Sequence, residues 1–135
     1  MVALSHAALE ASARAVNARL DAGPRDVWLN PLPLFHAGGL GIMVRAALSG
    51  ARREDAGAGS AETFLRGLGE TGATLTSLVP AQVHDLARLS ACPPSGLRAA
   101  VVGGGALDEP LRAMMADRGW PLLPSYGLTE AASQV

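Results

Sequence analysis

From Ala61 to Leu123 the chain repeats one unit, an amphipathic stretch followed by a short apolar one, joined by links of a few residues. Phe64, Leu65 and Leu68 fall on one face of a helix over 61–71, and 73–79 is β-branched and apolar, a buried strand. Pro80 opens a helix to about Leu89, because proline is well tolerated in a first turn. Cys92 to Gly96 is a turn, 97–102 a strand, Asp108 the cap of a helix to Arg118, and 120–123 the next strand. Helices alternating with strands on short links imply parallel pairing through right-handed crossovers. The strands are near-continuous apolar runs, as strands covered on both faces are. The predicted class is therefore α/β, a mostly parallel sheet with flanking helices.

The first half is less regular. Ser5 is a plausible cap for a helix carrying Ala7, Leu9, Ala13, Val16 and Leu20 at helical spacing, ended by Asp21-Ala22-Gly23-Pro24. A strand over 26–32 is stopped by Pro31 and Pro33. Gly38-Gly39 then leads into a small-residue helix over about 40–48, capped by Gly50. The charged, glycine-rich stretch from Arg52 to Ser60 reads as a loop.

Composition narrows the function classes. A chain of 135 residues, 49% of them hydrophobic, can build one small core and is not a disordered segment. A formal charge of -1 gives no basic footprint for nucleic acid. The single cysteine excludes an intrachain disulfide framework and fits a reducing compartment. Met1-Val2-Ala3-Leu4 lacks the basic lead of a signal peptide. The most apolar region, 29–51, is broken by prolines, glycines, His36 and Arg45, so no membrane span is expected. The expected location is the cytoplasm. All 11 cations are arginine, so no step that needs a lysine ammonium or a Schiff base can be completed by this chain.

Three motifs carry chemistry. Gly103-Gly104-Gly105 follows a strand, where bare backbone can approach a ligand and offer amide hydrogens near a helix start. It can equally be a tight turn that needs positive φ. It is neither a dinucleotide fingerprint nor a P-loop, since Asp108 stands at the third glycine position and no Gly-Lys-Ser/Thr follows. Pro124-Ser125-Tyr126-Gly127-Leu128-Thr129-Glu130 follows the next strand and combines a flat ring, a hydroxyl and a carboxylate, suited to stacking, phosphate hydrogen bonding and Mg²⁺ ligation. A rim turn with a helix-starting Thr-Glu pair is the alternative. In Pro33-Leu34-Phe35-His36-Ala37-Gly38-Gly39 the histidine is either a structural residue beside apolar neighbours or a functional one. His6 and His84 are expected on helix surfaces, and no zinc spacing or serine-hydrolase elbow exists. In open parallel sheets ligands sit beyond the carboxyl ends of the strands, so the last two strands, if paired, put the glycine turn beside Tyr126.

In order and spacing these segments, with Thr74-Leu75-Thr76-Ser77-Leu78-Val79-Pro80 and the run from Leu97-Arg98, resemble the acyl-adenylate-forming (AMP-dependent synthetase/ligase) enzymes over almost the whole chain. Trp28-Leu29, the block from His36 to Arg45 and the tail Thr129-Glu130-Ala131-Ala132-Ser133-Gln134 are most similar to the o-succinylbenzoate–CoA ligases of menaquinone biosynthesis. The resemblance implies a ligase that activates a small-molecule carboxylate, o-succinylbenzoate, with ATP and Mg²⁺ and passes the acyl-adenylate to coenzyme A. It implies that Tyr126 lies against adenine, that Gly103, Gly104, Gly105, Ser125 and Gly127 line the nucleotide site, and that Thr129 bonds the α-phosphate. Glu130 would bind Mg²⁺, and His36 would sit near the acyl carboxylate, with Thr129, Glu130 and His36 as the catalytic set.

There are departures. Gly105-Ala106 replaces the commoner Ala-Pro, and 52–59 does not look like the family's strand. The family's Ser/Thr/Gly-rich phosphate loop, its ribose-binding aspartate and its C-terminal domain with a lysine find no match. Residues 1–135 are thus expected to be part of the large N-terminal AMP-binding domain, with little or no turnover alone. A non-catalytic nucleotide-binding module and a non-functional remnant are the alternatives.

Overall fold

The computed structural model describes residues 2–57 and 59–132. Five parallel strands alternate with helices: α1 (His6–Leu20), β1 (Val27–Asn30), α2 (Ala37–Ser49), β2 (Arg52–Asp55), α3 (Ala61–Thr71), β3 (Leu75–Leu78), α4 (Pro80–Arg88), β4 (Ala99–Val102), α5 (Glu109–Asp117) and β5 (Leu122–Pro124), followed by a 3-10 turn over Thr129–Ala131. The sheet order is β2-β1-β3-β4-β5.

Side-chain alternation divides the core. Trp28, Leu75, Ala99 and Val101 point to one face, where Leu20 of α1 and Ile42 and Ala46 of α2 cover them. Their strand neighbours Leu29, Leu78, Ala100 and Val102 point to the other, under Phe64, Leu68, Val83, Leu86, Leu111 and Met115 of α3, α4 and α5. The alternating helix and strand pattern was therefore a sound guide to class and layering. Ser5 caps α1 as expected, its Oγ accepting from the Ala8 amide at 3.1 Å.

Two segments depart from the sequence reading. The stretch from Arg52 is the edge strand β2, in parallel register with all of β1 from Val27↔Arg52 to Asn30↔Asp55. Its charges are compatible with a strand because an edge has a solvated flank. Arg52 pairs with Glu54 and Arg53 with Asp55, each at 3.3 Å, and such charge also discourages edge-to-edge aggregation. The family strand that seemed missing is present in charged form. Helix α2 also begins three residues early, at Ala37, with His36 in the N-cap position. Gly38 and Gly39 lie within its first turn, where Gly39 meets the backbone of Pro33.

At the amino ends of the strands, opposite the ligand rim, one arginine ties three elements together. Arg98, just before β4, donates to both oxygens of Asp26, at 2.9 and 2.6 Å, and to the carbonyls of Leu20 and Asp21 that end α1. Asp26, just before β1, also accepts from the Thr74 hydroxyl at 2.7 Å and the Gly23 amide at 3.0 Å. The Arg98 hydrogen bonds, then those of Thr74 and Gly23, outweigh burial and lower the Asp26 pKa from 3.8 to about 2. A depressed folded-state pKa stabilises above the unfolded value, and that contribution fades as pH falls from about 4 through 2. Urea unfolding between pH 6 and pH 2 is expected to show a loss of about 2 kcal/mol assignable to this group. The Asp26→Asn variant should lack that part of the acid transition.

Candidate functional site

The chain runs from β1 outward to β2, then returns past β1 to β3, β4 and β5. This reversal sends α2 to one face of the sheet and α4 to the other, leaving a crevice beyond the carboxyl ends of β1 and β3. A cavity of about 500 Å³ occupies that crevice. The loops after four strands supply its walls: Pro31–Gly38 after β1, Leu78–Gln82 after β3, Gly103 and Gly104 after β4, and Ser125 with Gly127–Thr129 after β5. Ser77 and Val101 line it from the sheet, and Arg45 lines it from α2.

Pairing of β4 with β5 in register, Ala100↔Leu122 to Val102↔Pro124, brings the glycine turn beside the Ser125–Thr129 loop. The Ser125 amide and hydroxyl both donate to the Val102 carbonyl, at 2.8 and 3.1 Å, fixing the loop where it leaves the sheet. The three glycines differ. Gly104 has φ +81, and a Cβ there would meet Val79 Cγ1 at 3.2 Å, so both conformation and space favour glycine. A Cβ on Gly103 would come 3.2 Å from Ser125 Oγ. Gly105 is in ordinary surroundings and outside the cavity lining. The turn itself thus requires glycine at Gly104, through its positive φ and its contact with Val79, while Gly103 lies close against Ser125 and Gly105 is constrained by neither.

His36 is exposed at the cavity, its ring centroid 4.6 Å from that of Phe35. Thr129 also lines the cavity, although 93 residues separate them in sequence. Tyr126 and Glu130 are exposed on the same loop but outside the lining. The ring is 70% exposed, free to receive a flat ligand face. Ser133 and Gln134 of the tail motif lie outside the described residues.

These groups fit a nucleotide and its magnesium. Among the described residues no three His, Cys, Asp or Glu side chains converge to form an all-protein metal cage. Mg²⁺, however, is ordinarily held by one or two carboxylates plus phosphate oxygens, and Glu130 offers one such carboxylate. A Cβ at Gly103 or Gly104 would crowd Ser125 Oγ or Val79 Cγ1, each at 3.2 Å, so bare backbone lines this stretch of the cavity.

Sequence reasoning missed two polar groups in the wall. Arg45 is 1% exposed, and burial lowers its pKa to about 10, so it remains cationic at neutral pH. Ser77 is buried, and its Oγ has no hydrogen-bond partner among the described residues. Both lay in apolar runs and within segments that carry the family resemblance, but neither was given a role. The available signal was the charge itself, since an arginine on an apolar helix face needs a reason to be there. Gln82 was also missed. Its Oε1 accepts from the Val79 amide at 3.0 Å and its Nε2 donates to the Pro31 carbonyl at 3.4 Å, linking the β1 and β3 rims.

Comparison with known proteins bears on this geometry. The chain is 35% identical over 127 residues to the 2-succinylbenzoate–CoA ligase of Bacillus cereus strain Q1, covering 91% of this chain and 26% of that protein. The o-succinylbenzoate coenzyme A synthetase of Bacillus subtilis, solved in complex with ATP and magnesium ion, superposes with a TM-score of 0.93 at 28% identity over 99% of this chain and 28% of that one. Wild-type E. coli MenE, solved with a bound m-phenylether-linked analogue of OSB-AMS, gives 0.83 at 37% identity over 95% of this chain and 28% of that one. The chain therefore spans about a quarter of the length of the relatives it matches. A family model described as AMP-binding enzyme matches residues 1–135. With its parallel sheet, its switch-point cavity and its glycine-lined rim, the chain belongs to the AMP-binding enzyme family.

Proposed function

We propose that this chain supplies the adenylate-binding and acid-binding face of an ATP-dependent acid–CoA ligase whose acid is an aromatic dicarboxylate such as 2-succinylbenzoate. One observation carries the reading: a single cavity is lined by Gly103, Gly104 and Thr129 on one side and by His36, Ser77 and Arg45 on others. The named substrate of its relatives holds two carboxylates, one to be activated and one left over. Arg45 and Ser77 offer that second group a cation and a hydroxyl donor in the cavity wall.

A carboxylate is a poor electrophile and is repelled by a triphosphate. ATP and Mg²⁺, when bound, supply a leaving group and a phosphorus whose charge is partly neutralised. The Thr129 hydroxyl would donate to the α-phosphate, Glu130 would give the metal a hard oxygen, Tyr126 would provide a stacking face for adenine, and the bare backbone of Gly103 and Gly104 lines the nucleotide side of the cavity. His36 stands at the cavity near the carboxylate to be activated. In the whole enzyme the carboxylate would attack the α-phosphorus and release pyrophosphate, and the thiol of coenzyme A, giving up its proton, would then displace AMP from the acyl-adenylate to leave the thioester.

Equilibrium binding of an acyl-adenylate analogue tests the reading. Tyr126→Ala should weaken binding about tenfold through lost stacking, and Thr129→Val about fivefold. Glu130→Gln should remove the magnesium dependence of ATP binding while leaving AMP affinity unchanged. Unaltered affinities in all three variants would sink the proposal. With no lysine among its 135 residues, this chain alone should give only background ATP–pyrophosphate exchange, so we propose it as a partial AMP-binding domain. Its partners are the acid, ATP and coenzyme A rather than nucleic acid. Among the described residues no helix is long and apolar enough to cross a membrane. The free, exposed Cys92 suits a cytoplasmic location.

A further inference from the structure

Trp28 is completely buried in β1, yet its indole N–H has no hydrogen-bond partner among the described residues. A buried donor left unmade is a cost that phenylalanine at the same place would avoid, so hydrogen bonding does not explain tryptophan here. Its neighbour does. The guanidinium carbon of Arg45 lies 5.8 Å from the Trp28 ring centroid, within reach of its π-face, and indole is the strongest of the aromatic partners for a cation. The two residues meet behind the cavity wall: Arg45 lines it and Trp28 does not. From the helix side, the backbone of Arg45 is held by Asn17 of α1, whose Nδ2 donates to its carbonyl at 3.0 Å.

We infer that Trp28 is a positioning residue which fixes the Arg45 guanidinium in the cavity wall and thereby sets preference for an acid bearing a second carboxylate. The inference rests on the proposed role of Arg45. The cation–π contact is one of the interactions that aim the buried guanidinium before a ligand arrives. A guanidinium already aimed spares a carboxylate part of the ordering cost, so the gain appears only for ligands that use the charge.

The test compares 2-succinylbenzoate with 3-benzoylpropionate, the same skeleton without the ring carboxylate. The unsubstituted chain should bind the dicarboxylate about tenfold more tightly. Arg45→Met and Trp28→Leu should each bring the two affinities within about threefold of each other, by weakening only the dicarboxylate. Trp28→Phe should restore part of the preference. A readout that leaves Trp28 in place covers the case in which Trp28→Leu does not fold. The chain has two tryptophans, so 5-fluorotryptophan labelling gives two fluorine resonances. The dicarboxylate should shift the Trp28 resonance, assigned as the one that moves in Arg45→Met, and 3-benzoylpropionate should not.

Equal shifts from both acids, or equal weakening of both in Trp28→Leu, overturn the inference. Full preference in Trp28→Leu together with its loss in Arg45→Met overturns the role of Trp28 alone. Full preference in Arg45→Met, or no binding of either acid, overturns the role of Arg45 and this inference with it.

Discussion

Arg98→Met is expected to destabilise the protein by about 2–3 kcal/mol. Methionine keeps much of the length and apolar stem, so the effect isolates the guanidinium. Without it, Asp26 is left as a nearly buried carboxylate with its bidentate partner gone, and only Thr74 and Gly23 still bond it. The carbonyls of Leu20 and Asp21 also lose donors, which loosens the end of α1. The Arg98 side chain is 39% exposed, so the cost stays below that of breaking a fully buried pair. Urea unfolding measures it. The double variant Asp26→Asn, Arg98→Met should cost less than the sum of the two singles by at least about 1 kcal/mol, because each single strands the other partner. Strict additivity would mean that the two groups act independently, contrary to their geometry.

The second large effect is at Gly39, where alanine should cost about 3 kcal/mol and most of the ligand affinity. Its new Cβ would lie 2.2 Å from the Pro33 carbonyl oxygen and 2.8 Å from that of Leu32. Both are backbone atoms, so no side chain can rotate away. The segment from Leu32 to His36 must move, and the hydrogen bond from the His36 amide to the Pro33 carbonyl, 3.1 Å long, moves with it. That displaces the cavity wall itself, so stability and binding should fall together. Gly69→Ala is the control. It sits in α3 with nothing within 4 Å of a new Cβ, and should stabilise by about 0.5–1 kcal/mol through helix propensity. Were both glycines to tolerate alanine alike, the close approach at Gly39 would not constrain the fold.

The two sequence readings that failed share a cause. Arg52–Asp55 lacks apolar residues, and periodicity detects strands by the side chains they bury. An edge strand beside β1 is held by its backbone ladder and needs few such side chains. The start of α2 was misplaced because Gly38 and Gly39 weaken helix propensity, while packing against Pro33 and Leu32 selects glycine there all the same. Among the residues that line the cavity, Thr129, Gly103, Gly104, Ser125 and His36 stand in motifs that the sequence singled out. Arg45 and Ser77 were not: the charge marked Arg45 as unusual in an apolar run, but only the fold shows that these two side chains face a cavity.

By itself, the sequence determined the layered α/β class, the parallel sense of the strands and the rim shared by the glycine turn and Tyr126. Those follow from period and short links, which are local properties of the chain. Only the tertiary structure decided which strand neighbours which, and so where the chain reverses direction across the sheet. The order β2-β1-β3 opens the crevice that brings His36, Arg45 and Ser77 to Thr129. Strand order depends on which faces bury the most apolar surface together, a sum over distant pairs that no window of sequence contains.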